Sequence, residues 1–155
     1  MLSLEPRTIT ALEDKGQEGV ELFRLALSDR GVNASGLLSS SARFELQPTA
    51  LVWLAIGYVE YVDNGREPGG LPPITRIEQW ILDKGISFEG SLRSFAWAIA
   101  KTIAANGTRA WQQGGLFLIA SVFTQQYIDE ITAIIKDDLT EQILTTIKRG
   151  FNVPA

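Results

Sequence analysis

The chain has 155 residues, 45% of them hydrophobic and 21% charged, a composition that suits one domain with a real core rather than a disordered segment. It contains no cysteine and no histidine, which excludes disulfides, thiolate nucleophiles, sulfur-ligated zinc and the imidazole base of the common Ser and Cys hydrolases. The net charge is −4 and the fourteen Lys and Arg are scattered without a basic run, so the cationic footprint of a nucleic-acid binder is missing too.

Met1-Leu2-Ser3-Leu4-Glu5-Pro6 has neither the basic start nor the apolar stretch of a secretory signal. No apolar run approaches the roughly twenty residues of a membrane span, and a soluble, cytoplasmically assembled protein is expected. A first helix is predicted from near Thr10, where Thr10-x-x-Glu13 has the form of a capping box. Ile9, Leu12, Val20, Phe23 and Leu27 give it one apolar stripe. Gly16 and Gly19 interrupt the stripe and mark either a bend or a close approach, and Gly31 is a natural stop. Asn33-Ala34-Ser35-Gly36 reads as a turn, with Ser39-Ser40-Ser41 as its continuation; as a glycosylation sequon, Asn33-Ala34-Ser35 lacks a secretory context. Arg43-Phe44-Glu45-Leu46 alternates as a strand does, Pro48-Thr49 breaks it, and Leu51 to Ile56 follows as a more buried strand. The short gap makes the pair an antiparallel hairpin.

Tyr58 to Asp63 is expected to form a helical turn or two. Asn64 to Pro73 holds three glycines and three prolines and reads as loop. Ile74, Ile77, Trp80 and Ile81 place a helix next, ending at Lys84-Gly85. Leu92, Phe95, Ala96, Ile99 and Ile103 place another, ending at Asn106-Gly107. Thr108 to Gly115 reads as a second loop. From about Ser121 to Arg149 there is no Gly or Pro, which predicts one long helix of roughly 40 Å whose far end projects toward a neighbour. The expected architecture is α+β: a small antiparallel hairpin packed by several helices, with a long C-terminal helix, in one domain over residues 1–155.

Few residues combine into chemistry. Glu60 and Asp63 sit one helical turn apart, as paired acids or hard-metal ligands would, but equally as a solvated edge. Asp137 and Asp138 are adjacent and point apart, with Glu141 on the same polar helix. Glu13 and Asp14 are explained by the first turn of a helix. Gly65 to Gly70 lacks the ending of a phosphate-binding loop, and the serine run has no lysine at nucleophile spacing. Of the four tryptophans, Trp53 and Trp80 are expected in the core. Trp97 lies off its helix's stripe, and Trp111 stands in a polar loop, either tucked beneath it or free to anchor an interface.

A leading helix precedes Ala34-Ser35-Gly36-Leu37-Leu38-Ser39-Ser40-Ser41, then a strand pair, then Tyr58-Val59-Glu60-Tyr61-Val62-Asp63-Asn64-Gly65. This order of features resembles the neck and tail-completion family of long-tailed phages, whose Ser/Thr-Gly-x-Leu-x-x-Ser and Tyr-x-x-Tyr-Val-acid-x-Gly segments these stretches are similar to. Pro72-Pro73-Ile74 through Ile86, and Phe95 through Ile103 leading to Asn106-Gly107-Thr108, resemble members that carry a helical insertion. The likeness covers about Ala34 to Arg149. It departs at Gly114-Gly115-Leu116-Phe117-Leu118, where the family often has an aromatic-Pro-Phe segment.

The resemblance implies a virion structural protein, assembled in the host cytoplasm, that forms a sixfold or twelvefold ring joining connector, neck or tail proteins. It carries over no catalytic residues and no cofactor, and DNA passes through such a ring without sequence-specific contact. The expected interface residues are Asn64, Gly65, Arg66, Glu67, Pro68 and Leu71 in the first loop, with Arg109, Trp111, Leu116 and Phe117 in the second. On this view removing Gly65–Gly70 leaves a folded monomer that cannot assemble. Two other readings remain open: a small-molecule-binding module with a pocket lined by Trp53 and Trp80, and a carboxylate hydrolase using Glu60 and Asp63.

Overall fold

The computed structural model describes residues 4–47 and 50–151, the last of these by its backbone alone. Helix α1 (Pro6–Asp29) begins four residues before the expected Thr10. Pro6 takes a first-turn position, where its missing N–H and fixed φ suit a helix start. The expected cap, Thr10, donates its hydroxyl to the Pro6 carbonyl instead (3.1 Å). Thr8 is buried along with Leu12, Gly16, Val20, Phe23 and Leu27, whereas Ile9, expected in the stripe, is exposed.

The two glycines of α1 serve close approach. A Cβ at Gly16 would strike the Phe44 ring, and one at Gly19 would lie 2.6 Å from both the Trp53 indole nitrogen and the Tyr127 hydroxyl. The notch they leave lets Trp53 Nε1–H donate to the Gly16 carbonyl (3.2 Å) and the Tyr127 hydroxyl donate to that of Lys15. At the other end, Gly31 N–H bonds to Ser28 (2.9 Å) and Val32 N–H to Leu27 (3.1 Å). This paired closure of the last carbonyls makes Gly31 the stop that was expected.

Where only a turn was expected, Leu37–Ser41 forms the short helix α2. Its C-terminal carbonyls are taken by the Arg24 guanidinium, at 3.1 Å from Ser39 O and 3.2 Å from Ala42 O. Strands β1 (Arg43–Gln47) and β2 (Ala50–Leu54) pair antiparallel, with Phe44 opposite Trp53 and Leu46 opposite Leu51; the expected breaker Pro48-Thr49 lies outside the described residues. The ribbon lays one face on α1. Strand β2 stops at Leu54 rather than Ile56, and Leu51 to Leu54, Trp53 included, are half-buried rather than buried. Among the described residues the ribbon has no third strand, and two strands alone do not enclose their side chains.

Helix α3 (Val59–Asn64) follows, then α4 (Ile74–Asp83) and α5 (Leu92–Asn106), which pack together. Ile81, Ala96 and Ala100 of this pair are fully buried, and Phe88 stacks on Phe95 with centroids 5.6 Å apart. Because Ile81 holds the inward position, its neighbour Trp80 turns outward and is 41% exposed, against the expectation that it lies in the core. Trp97 is exposed as well. Helix α4 ends at Lys84-Gly85, where Ile86 N–H returns to the Ile81 carbonyl (3.1 Å), and α5 ends at Asn106-Gly107.

A one-turn helix α6 (Arg109–Gln112) occupies the expected second loop. The expected long helix is divided into α7 (Leu118–Val122) and α8 (Gln125–Phe151). Packing makes the break: the Phe123 ring sits 4.8 Å from Trp53 and 5.8 Å from Tyr127. The helix restarts with Tyr127 N–H donating to the Thr124 hydroxyl (3.3 Å), as at an N-cap. The main core joins Val20, Phe23 and Leu27 of α1 to Leu38, Leu118 and Val122. The resulting architecture is α+β, with the small hairpin and long C-terminal helix that were expected. At ~1.5 Å per residue, α8 spans roughly 40 Å. No helix among the described residues is long and apolar enough to cross a membrane.

Candidate functional site

The two loop segments singled out in the sequence are brought together and locked. Gly65 (φ 76°, ψ −174°) and Gly107 (φ 76°, ψ −179°) both adopt backbone conformations that essentially only glycine tolerates. Between them run reciprocal bonds: Arg66 N–H donates to Thr108 Oγ1 (2.9 Å) and Thr108 N–H donates to the Arg66 carbonyl (2.8 Å). Gly69 N–H reaches Ala104 O (2.8 Å), and the Arg66 guanidinium closes its own loop on Gly70 O (2.7 Å). A Cβ at Gly65 would strike the Trp111 amide and lie 2.5 Å from Thr108 Oγ1. These bonds tie the loop expected to adapt to a partner into the fold of its own subunit. Removing Gly65–Gly70 would strip partners from α5 and α6, so it tests folding as much as assembly.

Within this cluster the expected interface residues divide. Asn64, Glu67, Pro68, Leu71, Arg109 and Trp111 are exposed, Trp111 by 44%, with its ring edge beside Gly107. Gly65 and Arg66 are half-buried and hold the loops together. Leu116, also half-buried, packs against the core. Phe117 stands apart at 61% exposure. It is the one described residue other than glycine with positive φ (54°), in the left-handed region that bulky side chains rarely enter.

Three bonds hold it there. Leu116 N–H donates to the Asp63 carbonyl (2.7 Å), and Leu118 N–H donates to the Asp63 carboxylate (2.6 Å). From α1, Arg30 Nε–H donates to the Leu116 carbonyl (2.8 Å). Asp63 thus grips both neighbours of Phe117 and caps the first turn of α7, leaving the ring directed outward. Sequence reading missed Asp63, Thr108 and Arg30 as positioning residues. Of these only Thr108 carried a local signal, a cap-forming residue ahead of a short helix.

The paired-acid reading of Glu60 and Asp63 finds Glu60 exposed and one Asp63 oxygen occupied by Leu118. Among the described residues, no group of three acids converges to hold a metal ion. Trp53 and Trp80 do not share a pocket. Trp53 lines an apolar groove of about 580 Å³ between β2, α1 and α8, together with Leu12, Leu51, Ile131 and Leu139, whereas Trp80 is elsewhere on α4. This groove was not foreseen.

No family model, curated protein or solved structure matches this chain.

What the site offers chemically is apolar contact. Phe117, Trp111, Leu71 and Tyr61 (74% exposed) present large apolar side chains around the locked loops. More lie on α4 and α5, where Trp80, Leu82 and Trp97 face solvent. Exposed aromatic side chains carried on bonded, preorganised loops suit an interaction surface.

Proposed function

We propose that the chain is a self-associating structural subunit of a tailed-phage virion, docking through the Phe117–Trp111 surface into a ring at the neck or tail-completion junction. The observation that carries docking is Phe117: an aromatic ring held outward on a strained backbone by three long-range bonds. Residues kept in sparsely populated backbone conformations cluster at functional sites, and central aromatics dominate binding energy at interfaces. The phage assignment rests on the ordered sequence segments described above. The acidic balance agrees with a passage that does not grip the duplex moving through it. Closure of such a ring calls for one repeated head-to-tail contact between copies.

Phe117→Asn tests this directly, because asparagine tolerates the left-handed region while removing the apolar ring. The folded subunit should be unchanged or up to about 1 kcal/mol more stable, while assembly is weakened. Native mass spectrometry and negative-stain microscopy of the unmodified chain should give a sixfold or twelvefold ring, and the variant should give smaller species. A ring that forms equally well with Asn at this position would remove Phe117 from the interface. A chain that stays monomeric at every concentration would end the reading itself.

A further inference from the structure

The apolar groove and the far end of α8 are two uncovered surfaces of the same chain that cannot meet within one subunit. The groove is lined by Leu12 of α1, by residues of both strands and by the α8 face carrying Ile128, Ile131, Ile135 and Leu139; among the described residues no charged side chain lines it. Helix α8 is held to α1 by Lys15 on Glu130, by Glu5 N–H on the Asp138 carboxylate (2.9 Å) and by Arg7 on Glu141. Beyond these ties, every side chain from Ile143 to Gly150 is exposed. Ile143, Leu144 and Ile147 there form an apolar stripe, each about half exposed (47%, 50% and 47%). At about 100° per residue, the stripe centres roughly 120° around the helix from the groove-facing row. Stripe and groove wall belong to one continuous helix, so the stripe cannot fold back into its own groove.

Charge selects the occupant. The segment Ile143–Arg149 holds Lys148 and Arg149 and no acid. The chain's net charge is −4 and this segment contributes +2, so the remainder carries −6. A basic, apolar helix end is attracted to the acidic body of another copy.

We infer that the groove of one subunit receives the Ile143–Ile147 stripe of the next, a helix-in-groove contact that passes head to tail from copy to copy. The inference rests on the self-association proposed above and names its second contact.

Two full-length variants test it. Ile143→Glu with Ile147→Glu alters exposed residues only, and an unchanged circular dichroism spectrum checks that it folds. Leu51→Glu blocks the groove from β2. Each alone should lose assembly. Mixed in equal amounts they should form a one-to-one pair, because the first keeps an intact groove and the second an intact stripe; native mass spectrometry reads the pair's mass. Assembly of the double variant at the unmodified level would overturn this contact while leaving the proposed ring standing. Failure of the mixture to pair would overturn the head-to-tail geometry. An unmodified chain that remains single while an apolar small molecule raises its melting temperature, with Leu51→Glu abolishing that rise, would overturn both proposals and assign the groove to a ligand.

Discussion

Phe117 and Ile143 both leave apolar side chains in solvent, but by opposite routes. Around Phe117 the backbone is determined at every step: Asp63 bonds both of its neighbours, Arg30 holds Leu116, and Gly65 and Gly107 lock the loops beneath. At Ile143, among the described residues, no cap, loop or neighbouring element intervenes, and the stripe rides on a helix that has outrun its packing. The first surface is preorganised, so it loses little conformational freedom on docking. The second is shaped by α8 alone. Substitutions in the bonds and glycines that hold Phe117 in place should therefore cost stability, whereas those in the second region should cost association alone, because exposed changes stay within about 0.5 kcal/mol of neutral.

The largest effect is expected at Gly65→Ala. The backbone conformation is closed to alanine, a strain of about 1–3 kcal/mol, and the new methyl meets the Trp111 amide, a backbone group that cannot rotate away. Together these should destabilise the subunit by about 3 kcal/mol or more, read as a lowered urea midpoint. Hydrogen exchange should accelerate first at the Thr108 and Leu116 amides. If Gly65→Ala unfolds no earlier than the unmodified chain, the contrast between a locked and a bare surface is wrong.

A smaller effect is expected at Gly19→Ala, where alanine favours the helix by about 1 kcal/mol but crowds Trp53 and Tyr127. Overpacking of this kind costs about 1–3 kcal/mol, so a net loss of about 1 kcal/mol should appear in thermal unfolding. Measured stabilisation would mean that the notch is slack and that the ribbon and α8 are not seated on α1 as described.

Elements whose ends are set locally were legible in the sequence. Gly31, Gly85 and Gly107 stop their helices because the closing bonds involve residues only a few places away. The hairpin and the apolar faces of α4 and α5 followed from periodicity for the same reason. What escaped was set at a distance. The start of α1 moved because Pro6 begins a helix well and Glu5 finds Asp138, 133 residues away. The α7–α8 break contains no Gly or Pro and comes from Phe123 packing on Trp53. Phe117 was expected in a contact segment, and its strained backbone depends on Asp63, which bonds Leu118 from 55 residues earlier. The groove draws its lining from α1, the ribbon and α8, and no local pattern unites these.

Asp138 marks the border between the packed and bare parts of α8, and it gives the smallest and most conditional prediction. Its side chain is buried, and it accepts from Gln142 Nε2–H (2.8 Å) as well as from Glu5 N–H. These bonds, with the Thr8 hydroxyl and the Arg7 charge, hold its carboxyl below the ordinary aspartate range despite desolvation. A lowered pKa means that the folded state takes up this proton less readily than the unfolded state does. The associated stability is therefore fully present above the ordinary range, near about pH 4, and is lost as pH falls through the lowered value. Asp138→Asn cannot titrate, so it should be less stable than the unmodified chain at neutral pH, with the difference in melting temperature shrinking below about pH 4. A difference that stays constant into strong acid would show that Asp138 contributes through shape rather than charge. The charged tie from the start of α1 would then not be what fixes where α8 leaves the body.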